Sequence, residues 1–257
     1  MDPEPHSGWN TGNALEEKNM ASPKTEFIIE DLISKIYQKK YSDSRLPPER
    51  ELAGQYHVSR YTIQKALKQL IEMGLLISRQ GDGVFVNEKM RGNPLVYNSA
   101  TLVPYKDLHS QTIYLKKIPA TAKLQKIFNL KEHDMVWEFQ RIRIMNYKKT
   151  QIETGYMPCT LFPLMNSEIL EDSIQNFAIE EGYRISHFMT NYSSARLTEE
   201  EASLLNCKRN TPVFLIKSRG FLRDGSVFVS SKIIAVDYEC TYVVPFNRDV
   251  FYKRRRS

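Results

Sequence analysis

Cysteine is scarce. The three in 257 residues, Cys159, Cys207 and Cys240, lie far apart with no CxxC pair and no histidine at ligand spacing. Neither a zinc site nor a disulfide framework is expected, and free thiols in a reducing cytoplasm are the plain reading. No apolar run approaches the roughly 20 residues that a bilayer span needs. The polar start MDPEPHSGWNTGN also lacks the basic and apolar regions of a signal peptide, so the chain is expected to be neither inserted nor exported. Catalytic signatures are missing too: there is no nucleophile elbow, no HExxH and no glycine-rich phosphate loop. The five histidines, His6, His57, His109, His133 and His187, stand on unrelated segments. No metal and no cofactor is expected. What is present, 41% hydrophobic and 26% charged residues with a net charge of +6, is the composition of a folded globular protein. The basic excess is compatible with nucleic acid but decides nothing alone.

Residues 1–22 are polar and aperiodic, and Met20-Ala21-Ser22 reads as a second start, so this segment is expected to be a disordered leader outside the fold. From Thr25 to Lys40, Phe27, Ile28, Ile29, Leu32, Ile33, Ile36 and Tyr37 recur at intervals of three and four, which predicts an amphipathic helix. Pro47 and Pro48 then precede ERELA, predicting a short second helix closed by Gln55, Tyr56 and His57. Ser59 can cap a third helix that runs to Gly74, with Ile63, Ala66, Leu67, Leu70 and Ile71 as its buried stripe. Two short apolar strands around GDG predict a hairpin. Three helices and a hairpin form the layout of a winged helix-turn-helix.

The third helix carries Arg60, Tyr61, Thr62, Gln64, Lys65 and Lys68 away from its apolar stripe, and no acid interrupts them before Glu72. Such a face suits a major groove. Arg can donate bidentately to guanine, Gln can pair with adenine, and Thr and Lys reach phosphates or base edges. The bland alternative is a solvated face, and the short helix and glycine hairpin beside it favour DNA.

After a mixed segment at 89–110, expected to be a linker with at most one strand, the pattern changes. Strands are predicted near 111–118, 135–145, 150–157, 184–196, 212–222 and 226–236, and helices near 120–129, 167–182 and 198–206. Tight turns at 146–149 and 223–225 argue antiparallel pairing, and Thr198 with Glu201 makes a capping box. The whole is an α+β chain. The stretch at 251–257 is a basic tail, read as a solvated end.

The run LPPERELAGQYHVSRYTIQKALKQLIEMGLLISRQGDGVFV resembles the DNA-binding domain of the GntR family of bacterial transcription regulators, matching its LPSERELA, VSRxTVRxAL, GLI and GxGTFV landmarks in order. The resemblance implies Arg50 as a phosphate anchor, Arg60 and Thr62 on the recognition helix, and Gly81, with Gly83, at a wing approaching the minor groove. Pro48 stands where the family usually has a helix-capping Ser. Gln64 replaces an Arg that reads guanine in the family, which implies an altered operator.

Residues 111–250 resemble the UTRA effector-binding and dimerisation domain of the HutC subfamily, related in fold to chorismate lyase, through VWEFQRIR, QIETGYMP, a helix near Ser173, TPVFLIKSR and DGSVFVSSKIIAVD. Arg141 and Arg143 alternate on one strand face, so both guanidinium groups can converge on one anion. The alternative is that they pair with carboxylates on a neighbouring strand. The resemblance implies that Glu153 and Tyr156 reach the ligand or brace those arginines. Ser173 could offer its hydroxyl and a helix start to a phosphate. Gln175, Phe228, Ile234 and Ala235 depart from the family's usual polar set, implying a smaller, more apolar or reshaped pocket.

These readings together predict a cytoplasmic, homodimeric DNA-binding regulator, a repressor in the family's common mode. Its operator would be a pseudo-palindrome, and its effector a small anion, a sugar phosphate before a carboxylate. Effector binding would reposition the DNA-reading domains through the linker. A purely dimerising second domain is the main alternative, and a lyase-like enzyme a remote one.

Overall fold

The computed structural model describes residues 23–41, 43–90, 95–98, 101, 103, 105–248, 251, 252 and 255. The leader expected at 1–22 lies outside the described residues. Two compact units are present. One comprises residues up to 97 together with those from 241 onward, and the other is 98–240.

The first unit opens with α1 (Pro23–Tyr37), α2 (Glu49–Gln55) and α3 (Arg60–Glu72), followed by the antiparallel hairpin β1 (Leu76–Arg79) and β2 (Gly83–Val86). Ile28, Leu32 and Ile36 of α1, Leu52 of α2, and Ile63, Ala66 and Leu70 of α3 are fully or almost fully buried. This is most of the apolar stripe that the spacing predicted, but Phe27 is 63% exposed, and Tyr37 and Ile71 are only half-buried. The hydroxyl of Ser59 caps α3 by accepting from the Thr62 amide at 3.2 Å. α2 has no side-chain cap, because its N-cap is Pro48. Gly74, just beyond α3, has a φ of +76°, the left-handed turn that lets the chain leave the helix for β1. Within the segment expected as a linker, β3 (Leu95–Asn98) pairs with β10 (Cys240–Val243), a strand reached only after the second unit is complete.

The second unit is a six-stranded antiparallel sheet in the order β4 (Leu108–Pro119), β5 (Met135–Met145), β6 (Lys148–Pro158), β9 (Val227–Ala235), β8 (Pro212–Leu222) and β7 (Ile185–Arg196). Alternation along the strands gives the sheet two apolar faces. On one, α4 (Ala122–Phe128) packs on Val136 and Val227, and α7 (Glu199–Leu205) on Ile142, Ile152 and Ile234. On the other, α5 (Ser167–Glu171) and α6 (Ile174–Glu180) pack on Phe139, Met157 and Phe228.

The single helix expected at 167–182 is therefore two helices. Ser173 is the reason: it leaves helical geometry to become the N-cap of α6, its hydroxyl accepting from the Asn176 amide at 3.1 Å. Close packing inside the sheet depends on glycine at two places. A Cβ on Gly155 would lie 2.2 Å from the Phe139 ring, and one on Gly220 would lie 2.4 Å from the Phe228 ring.

Candidate functional site

On the first unit the N-terminal part of α3 presents Arg60, Tyr61 and Gln64, all exposed. Thr62 and Lys65 are half-buried at its margin. Arg50, on α2, is exposed. The wing forms because Arg79 pairs with Gly83 across the turn, where Gly81 and Gly83 take φ of +77° and +119°. Arg45 ties the wing to the body by donating to the Asp82 carbonyl at 2.6 Å, and Arg79 stacks over Phe85. Both glycines are exposed at the tip.

One participant on this face had no signal within α3 itself. Glu49, the first residue of α2, accepts at Oε2 from Gln64 Nε2 at 2.7 Å and from Arg60 Nη2 at 3.1 Å. Glu49 lies on α2 and its partners on α3, so the periodicity of α3 carries no trace of it. An acid at the start of the preceding helix of the motif is the signal that could have found it.

The second unit holds a cavity of about 460 Å³. Arg141, Arg143, Glu153 and Ser173 all line it. Strand pairing sets Arg141 opposite Glu153 and Arg143 opposite Gln151. The two arginines nevertheless differ.

Arg141 is 2% exposed. Its Nε and Nη2 both donate to Glu153 Oε2 at 2.8 Å. Its Nη1 donates to the Leu170 carbonyl and, at 3.2 Å, to the Asp172 carbonyl. It thus satisfies the carbonyls where α5 ends and braces the break between α5 and α6. Glu153 Oε1 accepts from Ser231 at 2.7 Å. Burial pushes the Glu153 carboxyl up, but Arg141, Arg143 and these hydrogen bonds outweigh it and hold the group below its ordinary range.

Arg143 is placed otherwise. Its side chain is 22% exposed, and Nε lies 3.7 Å from Glu153, beyond hydrogen-bond distance. Burial, and then repulsion from Arg141, lower its pKa, so an additional anion beside it would relieve both penalties. The expectation that both guanidinium groups turn to one anion is therefore corrected: Arg141 is occupied by protein acceptors.

Tyr156 requires a second correction. It stands one residue out of phase with Glu153 and Gly155, so it faces the α4 side of the sheet and packs among Ala120, Leu124 and Phe128. Its hydroxyl donates to Glu138 at 2.9 Å, and burial first, then that bond, raise its pKa to about 12. It neither lines the cavity nor touches the arginines.

Nor are the apolar departures Phe228 and Ile234 part of the pocket. Phe228 is wholly buried in the core between sheet and α5–α6, and Ile234 faces α7. The β9 side chains that reach the cavity are Val229, Ser231 and Ile233. With Thr190, Tyr192 and Ser218 from β7 and β8, the cavity keeps several hydroxyls, and Gln175 also lines it. Among the described residues its charged lining is Arg141 and Arg143 against Glu153, Glu171 and Asp172. Asp172 accepts from the Tyr105 hydroxyl, which raises the Tyr105 pKa. Among the described residues no cluster of His, Cys, Asp or Glu could hold a metal ion, and no helix is long and apolar enough to cross a membrane.

An exposed, basic helix face beside a glycine wing, in a chain that also carries an antiparallel sheet with a cavity, is the arrangement of a DNA-binding regulator, and the comparisons agree. Residues 24–86 match the model of the bacterial regulatory proteins of the gntR family, and residues 105–235 match the UTRA domain. The Mannosyl-D-glycerate transport/metabolism system repressor MngR of Escherichia coli is 33% identical over 197 residues, 73% of this chain and 80% of that protein. The HTH-type transcriptional repressor NagR of Bacillus subtilis is 28% identical, covering 84% of this chain and 91% of its own length. The crystal structure of the possible transcriptional regulator YydK from Bacillus subtilis aligns with a TM-score of 0.54 and 25% identity, over 88% of this chain and 100% of that one. The chain belongs to the GntR family, in its UTRA-bearing form, and is a DNA-binding transcription regulator.

Proposed function

We propose that this regulator is a dimeric, cytoplasmic repressor of a sugar-related operon. Its operator affinity is lowered when a small anionic sugar derivative occupies the cavity of the second unit, and it carries out no catalysis. The carrying observation is Arg143, a largely buried cation at a cavity wall that, among the described residues, has no hydrogen-bonded carboxylate of its own.

The charge balance refines the ligand. Among the described residues, two guanidinium groups face three carboxylates in the lining. A phosphate monoester carries about −1.5 to −2 at neutral pH, whereas a carboxylate brings a single charge to the one arginine left to meet it. A sugar acid therefore ranks ahead of a sugar phosphate, the reverse of the order the sequence suggested. The hydroxyls of Ser218, Thr190 and Tyr192 suit the sugar part. The similarity to MngR, named for a system handling mannosyl-D-glycerate, itself a carboxylate, supports that order.

The test is a thermal-shift panel of mannosyl-D-glycerate, other sugar acids, sugar phosphates and their neutral parents. A ligand that binds only the folded state raises its melting temperature. Stabilisation by acids that disappears in Arg143→Ala is expected. Stabilisation by a neutral sugar, undiminished in Arg143→Ala, would refute the reading.

A further inference from the structure

We infer that Glu49 is a specificity-determining residue of the DNA-binding unit: one carboxylate oxygen clamps Arg60 and Gln64 together and so fixes which adjacent bases they read. The inference does not depend on the effector.

The geometry carries it. Arg60 and Gln64 stand four apart in sequence on α3, so they share a helix face. Both donate to Glu49 Oε2, at 3.1 Å and 2.7 Å. The Arg60 side chain is 65% exposed and that of Glu49 32% exposed. For an ordinary surface ion pair such contacts contribute little. Their importance here is positional, since base readout by Arg or Gln needs its donors held at a defined place in the groove. A guanidinium that donates one Nη2 hydrogen to Glu49 keeps its other donors for a base edge, and a Gln amide held by one hydrogen keeps the second and its oxygen.

The carboxylate has a second effect through charge. It offsets the cation of Arg60 where the helix approaches the backbone, and so weakens attachment to arbitrary sequence, which is driven by phosphate neutralisation. Glu49 thus raises the ratio of specific to random binding from both sides.

A competing role exists. Glu49 is the first residue of a helix whose N-cap is Pro48, without a side-chain cap, and an acid there stabilises the helix end through the macrodipole. Two variants separate the roles. Glu49→Asp keeps the charge at the helix end but is one methylene too short to reach both partners, while Glu49→Gln removes the charge.

The experiment selects binding sites from a randomised duplex pool with the full-length protein and each variant, and measures affinity for the wild-type consensus and for random duplex across a salt series. Arg60→Ala and Gln64→Ala identify the positions each residue reads. Both Glu49 variants should lose preference at those positions, and the consensus-to-random affinity ratio should fall about tenfold, within what one bidentate base contact supplies. Glu49→Gln should also bind random duplex more tightly. The inference is overturned if Glu49→Asp selects the wild-type consensus unchanged, or if both variants lose consensus and random affinity in equal proportion.

Discussion

Replacing Arg141 and Arg143 with alanine should give opposite phenotypes. Arg141→Ala removes both hydrogen bonds to Glu153 and both bonds to the carbonyls of Leu170 and Asp172. Glu153, 6% exposed, is left with Ser231 and a distant Arg143. Breaking a buried pair from one side costs about 3 to 5 kcal/mol, because the remaining charge is uncompensated. With roughly 2 to 4 °C of melting temperature per kcal/mol for a unit of this size, the second unit should melt roughly 10 °C lower. Arg143→Ala removes a side chain that is 22% exposed, makes no hydrogen bond to Glu153 and is disfavoured by burial and by Arg141, and should shift the melting temperature much less.

Calorimetric melting of both variants, with Arg141→Met/Glu153→Leu as a control that removes both charges together, decides the matter. The double variant should recover much of the loss, since a well-packed apolar replacement of a buried pair is often neutral or better. An Arg141→Ala protein as stable as the wild type, but blind to ligand, would refute the division into brace and anchor.

Gly155→Ala should destabilise the second unit by about 1 to 3 kcal/mol, as overpacking does, since its Cβ would meet the fully buried Phe139 ring; chemical denaturation measures the loss. The low pKa of Glu153 fixes a sign: a group whose folded pKa is depressed stabilises fully above its unfolded value, and that contribution fades as pH falls through the folded one. Melting temperature should therefore hold from neutrality down to the ordinary carboxylate range and drop below it, and Glu153→Gln should flatten that limb. In the DNA-binding unit, Arg60→Ala should lose roughly 1 to 3 kcal/mol on the selected duplex alone, while Arg50→Ala should weaken all sequences alike; competition binding against random duplex distinguishes the two.

The helices of the first unit were legible because their signals are local: the spacing of Ile28, Leu32 and Ile36, the Ser59 cap, and glycines where the chain must turn. The face of β5 carrying Arg141 and Arg143 was legible for the same reason, as alternation survives on a strand without a bulge between them. What failed needed information from elsewhere in the chain. β9 buries Val227, Phe228 and Val229 in succession, so alternation could not place Phe228, and the pairing of β8 with β9 shifts at Gly220 and Phe221. Which arginine would be consumed depended on Leu170 and Asp172, carbonyls of a helix end that periodicity had hidden inside one longer helix. Glu49 went unseen because its partners lie on the next helix. The pairing of β3 with β10 joins two four-residue strands across the whole second unit, and neither segment carries a pattern naming the other.

The most direct test of the account titrates the selected duplex with wild-type protein and Arg143→Ala at fixed salt, with and without a saturating ligand from the stabilising panel. The account predicts weaker duplex binding by the wild type in the presence of ligand, with unchanged binding by Arg143→Ala. By linkage, the ligand should also bind the duplex-bound wild type more weakly by the same factor. Equal duplex affinity with and without ligand in the wild type would contradict it.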